Sequence, residues 1–182
     1  MSRKYIVFLI VTILFTLADQ LTKLWVTNNI RYRIDEIEAI PGFLSFVHAQ
    51  NRGAAFGIMQ GQMLVFAVFT LIALGVLGQM LWQLEKDDRF QSFALGLIAS
   101  GAIGNGIDRV YKQSVTDFIR VYTDHPGISA WLRDNFGTTE WPSFNIADAA
   151  IVTGLLMFLF HFFFLEKDAE DLEPDPPKKA LE

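Results

Sequence analysis

The chain has 182 residues, 52% of them hydrophobic and 14% aromatic, with 17 Phe, which is more apolar material than a soluble core of this size uses. Its formal net charge of -5 is drawn largely from residues 166–182, so the body is near neutral and offers nothing to a polyanionic partner, which sets nucleic acid aside. With no cysteine, the chain cannot hold a disulfide, a thiolate zinc site or a cysteine nucleophile.

Four apolar stretches, at about 5–25, 63–82, 93–110 and 146–165, are each long enough to cross roughly 30 Å of hydrocarbon, which predicts an all-α membrane protein of four transmembrane helices. The first follows Ser2, Arg3 and Lys4, as a cleaved signal peptide would, but Asp19, Gln20 and Lys23 at helical spacing before Trp25 favour a retained span. Residues 27–62 alternate in polarity and turn at Pro41-Gly42, which reads as short strands between the first two spans. Residues 111–145 read as irregular, and 166–182, with three prolines among charges, as a disordered cytoplasmic tail. Residues 1–165 then form one domain. The Lys and Arg balance is weak, but Arg3 and Lys4 directly before the first span place both termini in the cytoplasm and the loops 27–62 and 111–145 outside.

Alternation fixes the direction of each helix, so depths compare across helices. Asp19 and Lys23 end the first span, Asn105, Asp108 and Arg109 end the third, and Asn145 and Asp148 begin the fourth. All fall at one side of the membrane, and spacings of i, i+3 and i+4 give each helix one polar stripe. Taken singly, each set has a plain structural reading: an intrahelical ion pair, an interfacial anchor, a helix cap. Charged groups near hydrocarbon cost about 2.5 kcal/mol or more each, so their convergence points to a shared polar cavity. Gly96, Gly101, Gly104 and Gly106 in the third span suit close helix approach.

His48, His125 and His161 lack metal-ligand spacing, and Ser100, Ser114 and Ser143 lack an evident base, so zinc and serine mechanisms find no motif and no cofactor is expected. Carboxylates remain, and Asp117 follows the third span closely enough to reach the cavity beside Asp148. Two acids in one site have their proton affinities pushed apart, so one can deprotonate water while the other polarises a carbonyl. The alternative is a small proton-coupled carrier using the same acids, although clustering at one side leaves little to line a path.

The residues Asp19-Gln20-Leu21-Thr22-Lys23, Asn51-Arg52-Gly53-Ala54-Ala55-Phe56-Gly57, Gly104-Asn105-Gly106-Ile107-Asp108-Arg109, Val115-Thr116-Asp117-Phe118 and Phe144-Asn145-Ile146-Ala147-Asp148 resemble, in order, the motifs of lipoprotein signal peptidase, or signal peptidase II, from Tyr5 to Leu165. The resemblance implies an aspartyl endopeptidase of the bacterial cytoplasmic membrane that cuts a diacylglyceryl prolipoprotein before its lipidated cysteine. It implies a small extracytoplasmic β-sheet between the first two spans, in agreement with the strand-like reading there, and Asp117 and Asp148 as the catalytic pair. Asn51, Gly53, Asn105, Asp108, Arg109 and Asn145 would line or support the site, with Asp19 and Lys23 behind them. Substrate and membrane lipid are the implied partners, with no obligate protein partner. Thirty-one positions separate Asp117 from Asp148, and residues 123–139 make this loop longer than the family's compact one. The extra length reads either as a lid touching lipid through Trp131 and Trp141 or, preferably, as a neutral insertion.

Overall fold

The computed structural model describes residues 2–53 and 62–165. The Ala54-Ala55-Phe56-Gly57 end of one motif and the tail 166–182 lie outside the described residues. In order, α1 (Arg3–Asn29) leads to a hairpin of β1 (Glu36–Ile40) and β2 (Leu44–Asn51), then α2 (Met63–Gln83), α3 (Arg89–Lys112), β3 (Val115–Val121), α4 (Pro126–Phe136) and α5 (Ile146–Phe160), which ends in a π-helical turn, His161–Leu165.

The four long apolar helices α1, α2, α3 and α5 meet the length and hydropathy of membrane spans. Their outward residues are apolar: Leu14 on α1, Leu64 on α2 and Leu156 on α5 are 58%, 78% and 61% exposed, as expected where lipid takes the place of water. α3 is the central helix, with 56% of its most apolar window buried against 17% in α1 and 11% in α2.

Close approach to α3 rests on its glycines. A side chain at Gly101 would overlap the Ala147 carbonyl of α5, and one at Gly104 would lie 2.6 Å from the Asp19 carboxylate of α1. Without a hydrophobic drive between helices in lipid, such backbone proximity supplies the packing. At the far end of the bundle, the Lys4 ammonium donates to the Trp82 and Leu84 carbonyls at 2.9 and 2.5 Å, satisfying the C-terminal end of α2.

At the other end the strands form one antiparallel sheet in the order β1-β2-β3. The turn at Pro41-Gly42 places Gly42 at φ +71°, the left-handed region that the Gly there accommodates. Residues 111–145, expected to be irregular, supply both the third strand and a helix. β3 pairs with β2 in a register that sets Ala49 opposite Asp117 and Asn51 opposite Val115. α4 opens with Pro in its first turn and stops at Gly137, φ +72°.

The glycine packing predicts that Gly101→Val destabilises the protein by about 1–3 kcal/mol through overpacking. Gly75→Ala, on α2 with open space around its Cα, should be neutral or slightly stabilising. Thermal unfolding of the two variants in one detergent would check both expectations.

A carboxylate-lined candidate active site

The polar residues of the spans converge on one ammonium. Lys23 is fully buried, and its Nζ lies 2.9 Å from Asp19 Oδ2, 3.2 Å from Asp108 Oδ2 and 3.0 Å from Asn105 Oδ1. The two carboxylates are themselves 1% and 0% exposed. Asp19 is the i, i+4 partner of Lys23 on α1, so one helix face delivers both to α3. A buried ion pair survives desolvation only with its remaining hydrogen-bonding capacity filled, and here that capacity reaches other elements. Asp19 Oδ1 accepts the Ala147 N–H of α5 at 3.0 Å, and Asp108 Oδ2 accepts the Thr116 N–H of β3 at 3.0 Å. Lys112 approaches the second oxygen of Asp108 at 3.0 Å.

These contacts aim the two remaining acids. Thr116 immediately precedes Asp117, so Asp108 fixes the strand at the residue before it. Asp148 is held by a reciprocal cap: its N–H donates to Asn145 Oδ1 at 2.9 Å and its Oδ2 accepts the Asn145 N–H at 3.2 Å. The Asn145 side chain then donates to Asp117 Oδ1 at 2.7 Å, and the Asn105 amide to Asp148 Oδ1 at 2.7 Å. Asp117 on β3 and Asp148 on α5, far apart in sequence, thus meet around one asparagine.

Both acids open on a cleft of about 580 Å³ whose walls include Asn51, Asn105, Arg109 and Trp141. Arg109 reaches the Asn105 carbonyl at 3.3 Å and the Gly53 carbonyl at 3.4 Å, with its guanidinium 4.7 Å from the Phe66 ring centre. Asn51 Oδ1 accepts the Gly53 N–H at 2.9 Å, which shapes the chain leaving β2. Burial and the neighbouring Asp148 push the Asp117 carboxyl up to about 7, against the opposing pull of hydrogen bonds from Asn145 and Asn51.

Every residue singled out from the sequence as part of the site therefore lies in or around this one cluster. Gln20, Lys112 and Thr116 join it in roles not assigned from the sequence: Gln20 donates to Asp19 and to the Gly104 carbonyl, both at 3.1 Å. Lys112 stands four residues after Asp108, a spacing that was available in the sequence. Thr116 joins mainly through its backbone, its N–H donating to Asp108 and its carbonyl accepting from Asn145 at 3.3 Å, while its hydroxyl meets Lys112 at 3.4 Å. The histidines are engaged elsewhere: His48 Nδ1 with the Ile30 carbonyl at 2.9 Å and His161 with Gln91 at 2.7 Å, while His125 precedes α4. Ser100 donates to the Leu97 carbonyl at 2.7 Å.

Four spans that close at one end around a pair of carboxylates define the class, a multi-pass membrane protein with an acid-lined site. Among known proteins, the family model for signal peptidase (SPase) II matches residues 11–164. A lipoprotein signal peptidase of Maridesulfovibrio salexigens is 36% identical over 165 residues, covering 88% of this chain and 97% of its own. One from Shouchella clausii is 41% identical over 152 residues, covering 84% and 89%. A solved bacterial membrane enzyme superposes with a TM-score of 0.75 at 30% identity over 94% of both chains. The chain belongs to the signal peptidase II family, peptidases that remove the signal peptides of lipoproteins. The carrier alternative finds no support in this relationship.

Removing the central cation should leave the buried carboxylate of Asp19 without a cation and that of Asp108 with Lys112 alone. Lys23→Met is expected to lower stability by about 3–5 kcal/mol, whereas Lys112→Met, at a position 40% exposed, should lower it far less. Chemical denaturation in detergent micelles would rank the two.

Proposed function

We propose that this protein is an aspartyl endopeptidase that cleaves diacylglyceryl prolipoproteins immediately before the lipidated cysteine, with Asp117 and Asp148 sharing the chemistry. The observation that carries this reading is the meeting of two carboxylates from separate elements around Asn145, in one cleft of a peptidase-family chain.

In the proposed reaction, the pair holds one proton, resting on Asp117. Asp148, oriented by Asn105 and its own helix cap, takes a proton from water as the water oxygen attacks the scissile carbonyl. Asp117 donates its proton toward the carbonyl oxygen, stabilising the tetrahedral intermediate. Collapse of that intermediate breaks the C–N bond, and the amine leaves with a proton returned through the pair. Three cations (Lys23, Lys112, Arg109) accompany four carboxylates (Asp19, Asp108, Asp117, Asp148), so one shared proton brings the cluster to neutrality. In this reading Asn51, Gly53 and Arg109, linked by the Asn51–Gly53 and Arg109–Gly53 contacts, hold the substrate backbone at the mouth.

The diacylglyceryl group would keep the substrate in the bilayer and present its bond at a fixed depth, converting a diffusional encounter into an oriented one. We place the site at the outer face of the bacterial cytoplasmic membrane, with both termini inside. The basic residues Arg3 and Lys4 support this placement, since they lie at the bundle end away from the dyad.

Cleavage of a diacylglyceryl prolipoprotein by the purified chain should fall by roughly 10²–10⁴-fold in Asp117→Asn and in Asp148→Asn, with folding retained and no response to a metal chelator. Full turnover in either folded variant would sink the dyad. Since the Asp117 carboxyl keeps its proton below about 7 and loses it above, kcat/KM should decline as pH rises through that value, and Asp117→Asn should abolish that limb together with the activity.

A further inference from the structure

We infer that α4 lies in the plane of the membrane surface on the side of the sheet, an interfacial anchor whose occupant is the lipid itself, at the boundary of headgroups and acyl chains. The inference rests on the four-span membrane reading and is independent of the chemistry assigned to the dyad.

None of the residues of α4 is buried. Ile128, Trp131 and Phe136 are 51%, 57% and 67% exposed, and with Leu132 they fall on one face of an 11-residue helix, opposite Ala130, Arg133 and Asp134; Asn135 shares that face, its amide turned back to donate to the Trp131 carbonyl at 2.8 Å. Trp131 and Phe136 already touch edge to face, with ring centres 5.6 Å apart, so the aromatic surface is assembled before anything covers it. Arg133 and Asp134 cancel in charge, which gives the helix nothing to steer a charged protein partner. A Trp-bearing apolar face backed by polar residues is the composition of helices that lie in a membrane interface.

Position agrees with composition. Nine residues join Phe136 to Ile146, the first residue of a membrane-spanning helix, so α4 lies within a short tether of the bilayer. The returning chain carries Trp141, 64% exposed, on the rim of the active-site cleft, and that cleft also includes Val152, a 57% exposed residue of α5. Trp141 and Val152 thus put exposed apolar side chains at the cleft, on the chain between α4 and α5 and on α5 itself.

The attachment is firm at both ends. The Thr123 N–H donates to the Thr139 carbonyl at 3.1 Å and the Trp141 N–H to the Val121 carbonyl at 2.9 Å, while Arg120 joins Glu140 at 2.6 Å and Glu36 at 2.8 Å. Because the same strand, β3, carries Asp117, an anchored α4 would set the height of that carboxylate over the bilayer.

The absence of cysteine makes the test direct. Nitroxide labels on single-cysteine variants Ile128→Cys, Trp131→Cys, Ala130→Cys and Asp134→Cys would be read in the full chain, reconstituted in vesicles of phosphatidylethanolamine and phosphatidylglycerol. Positions 128 and 131 should collide several-fold more with oxygen, and positions 130 and 134 several-fold more with a water-soluble nickel chelate. Equal access of the chelate to all four would overturn the inference in favour of a helix in water. Low access of both reagents at 128 and 131 would overturn it in favour of a face covered by protein, and spin–spin broadening that grows with protein-to-lipid ratio would identify that cover as a second copy. Ile128→Cys retains Trp131 and Phe136, so it reports on an aromatic face left intact.

Discussion

One buried ammonium organises the functional end of this protein. Lys23 is where α1 meets α3, and the two carboxylates it satisfies each also accept a backbone N–H from a different element, Asp19 from α5 through its other oxygen and Asp108 from β3 through the same one. Asn105, the third partner of Lys23, holds Asp148 with its amide. Inside a membrane protein such a charge has no water to fall back on, so the elements that satisfy it are held in one arrangement. The positions of both candidate catalytic acids follow from that arrangement.

Packing makes the network possible. Glycines on α3 let α1 and α5 come close enough for Asp19 to reach the backbone of α5, a contact that a side chain at Gly104 would obstruct. The sheet contributes by carrying Asp117 back over the end of the bundle on a strand registered against β2. Burial divides the acids: Lys23, Asp19 and Asp108 lie sealed behind the site, while Asp117 and Asp148 face the cleft.

Much of this was legible in the sequence, because hydrophobic length and the depth of charged residues are local properties. Four spans and the convergence of Asp19, Lys23, Asn105, Asp108, Asn145 and Asp148 at one end follow from counting along helices. β3 was not legible as a strand. Its partner β2 lies more than sixty residues earlier, and Val-Thr-Asp-Phe-Ile-Arg-Val has no clean alternation, since it is buried through Phe118 by contacts on both sides. α4 carried its own punctuation in Pro126 and Gly137, but its apolar face meets no core, so nothing in the pattern tied it to the fold. The backbone contacts that orient the acids, through Thr116 and Ala147, are invisible in any list of side chains.

The helix cap at the start of α5 carries a further implication. Asp148 occupies the one position from which its side chain can close back on the Asn145 N–H. An α-helix turns by about 100° and rises 1.5 Å per residue, so starting α5 one residue earlier or later would swing the carboxylate away from Asn105 and Asp117. The phase of α5 and the position of Asp148 are locked together: wherever the helix begins, the acid follows, and any change in the entry to the last span is also a change in the geometry of the pair.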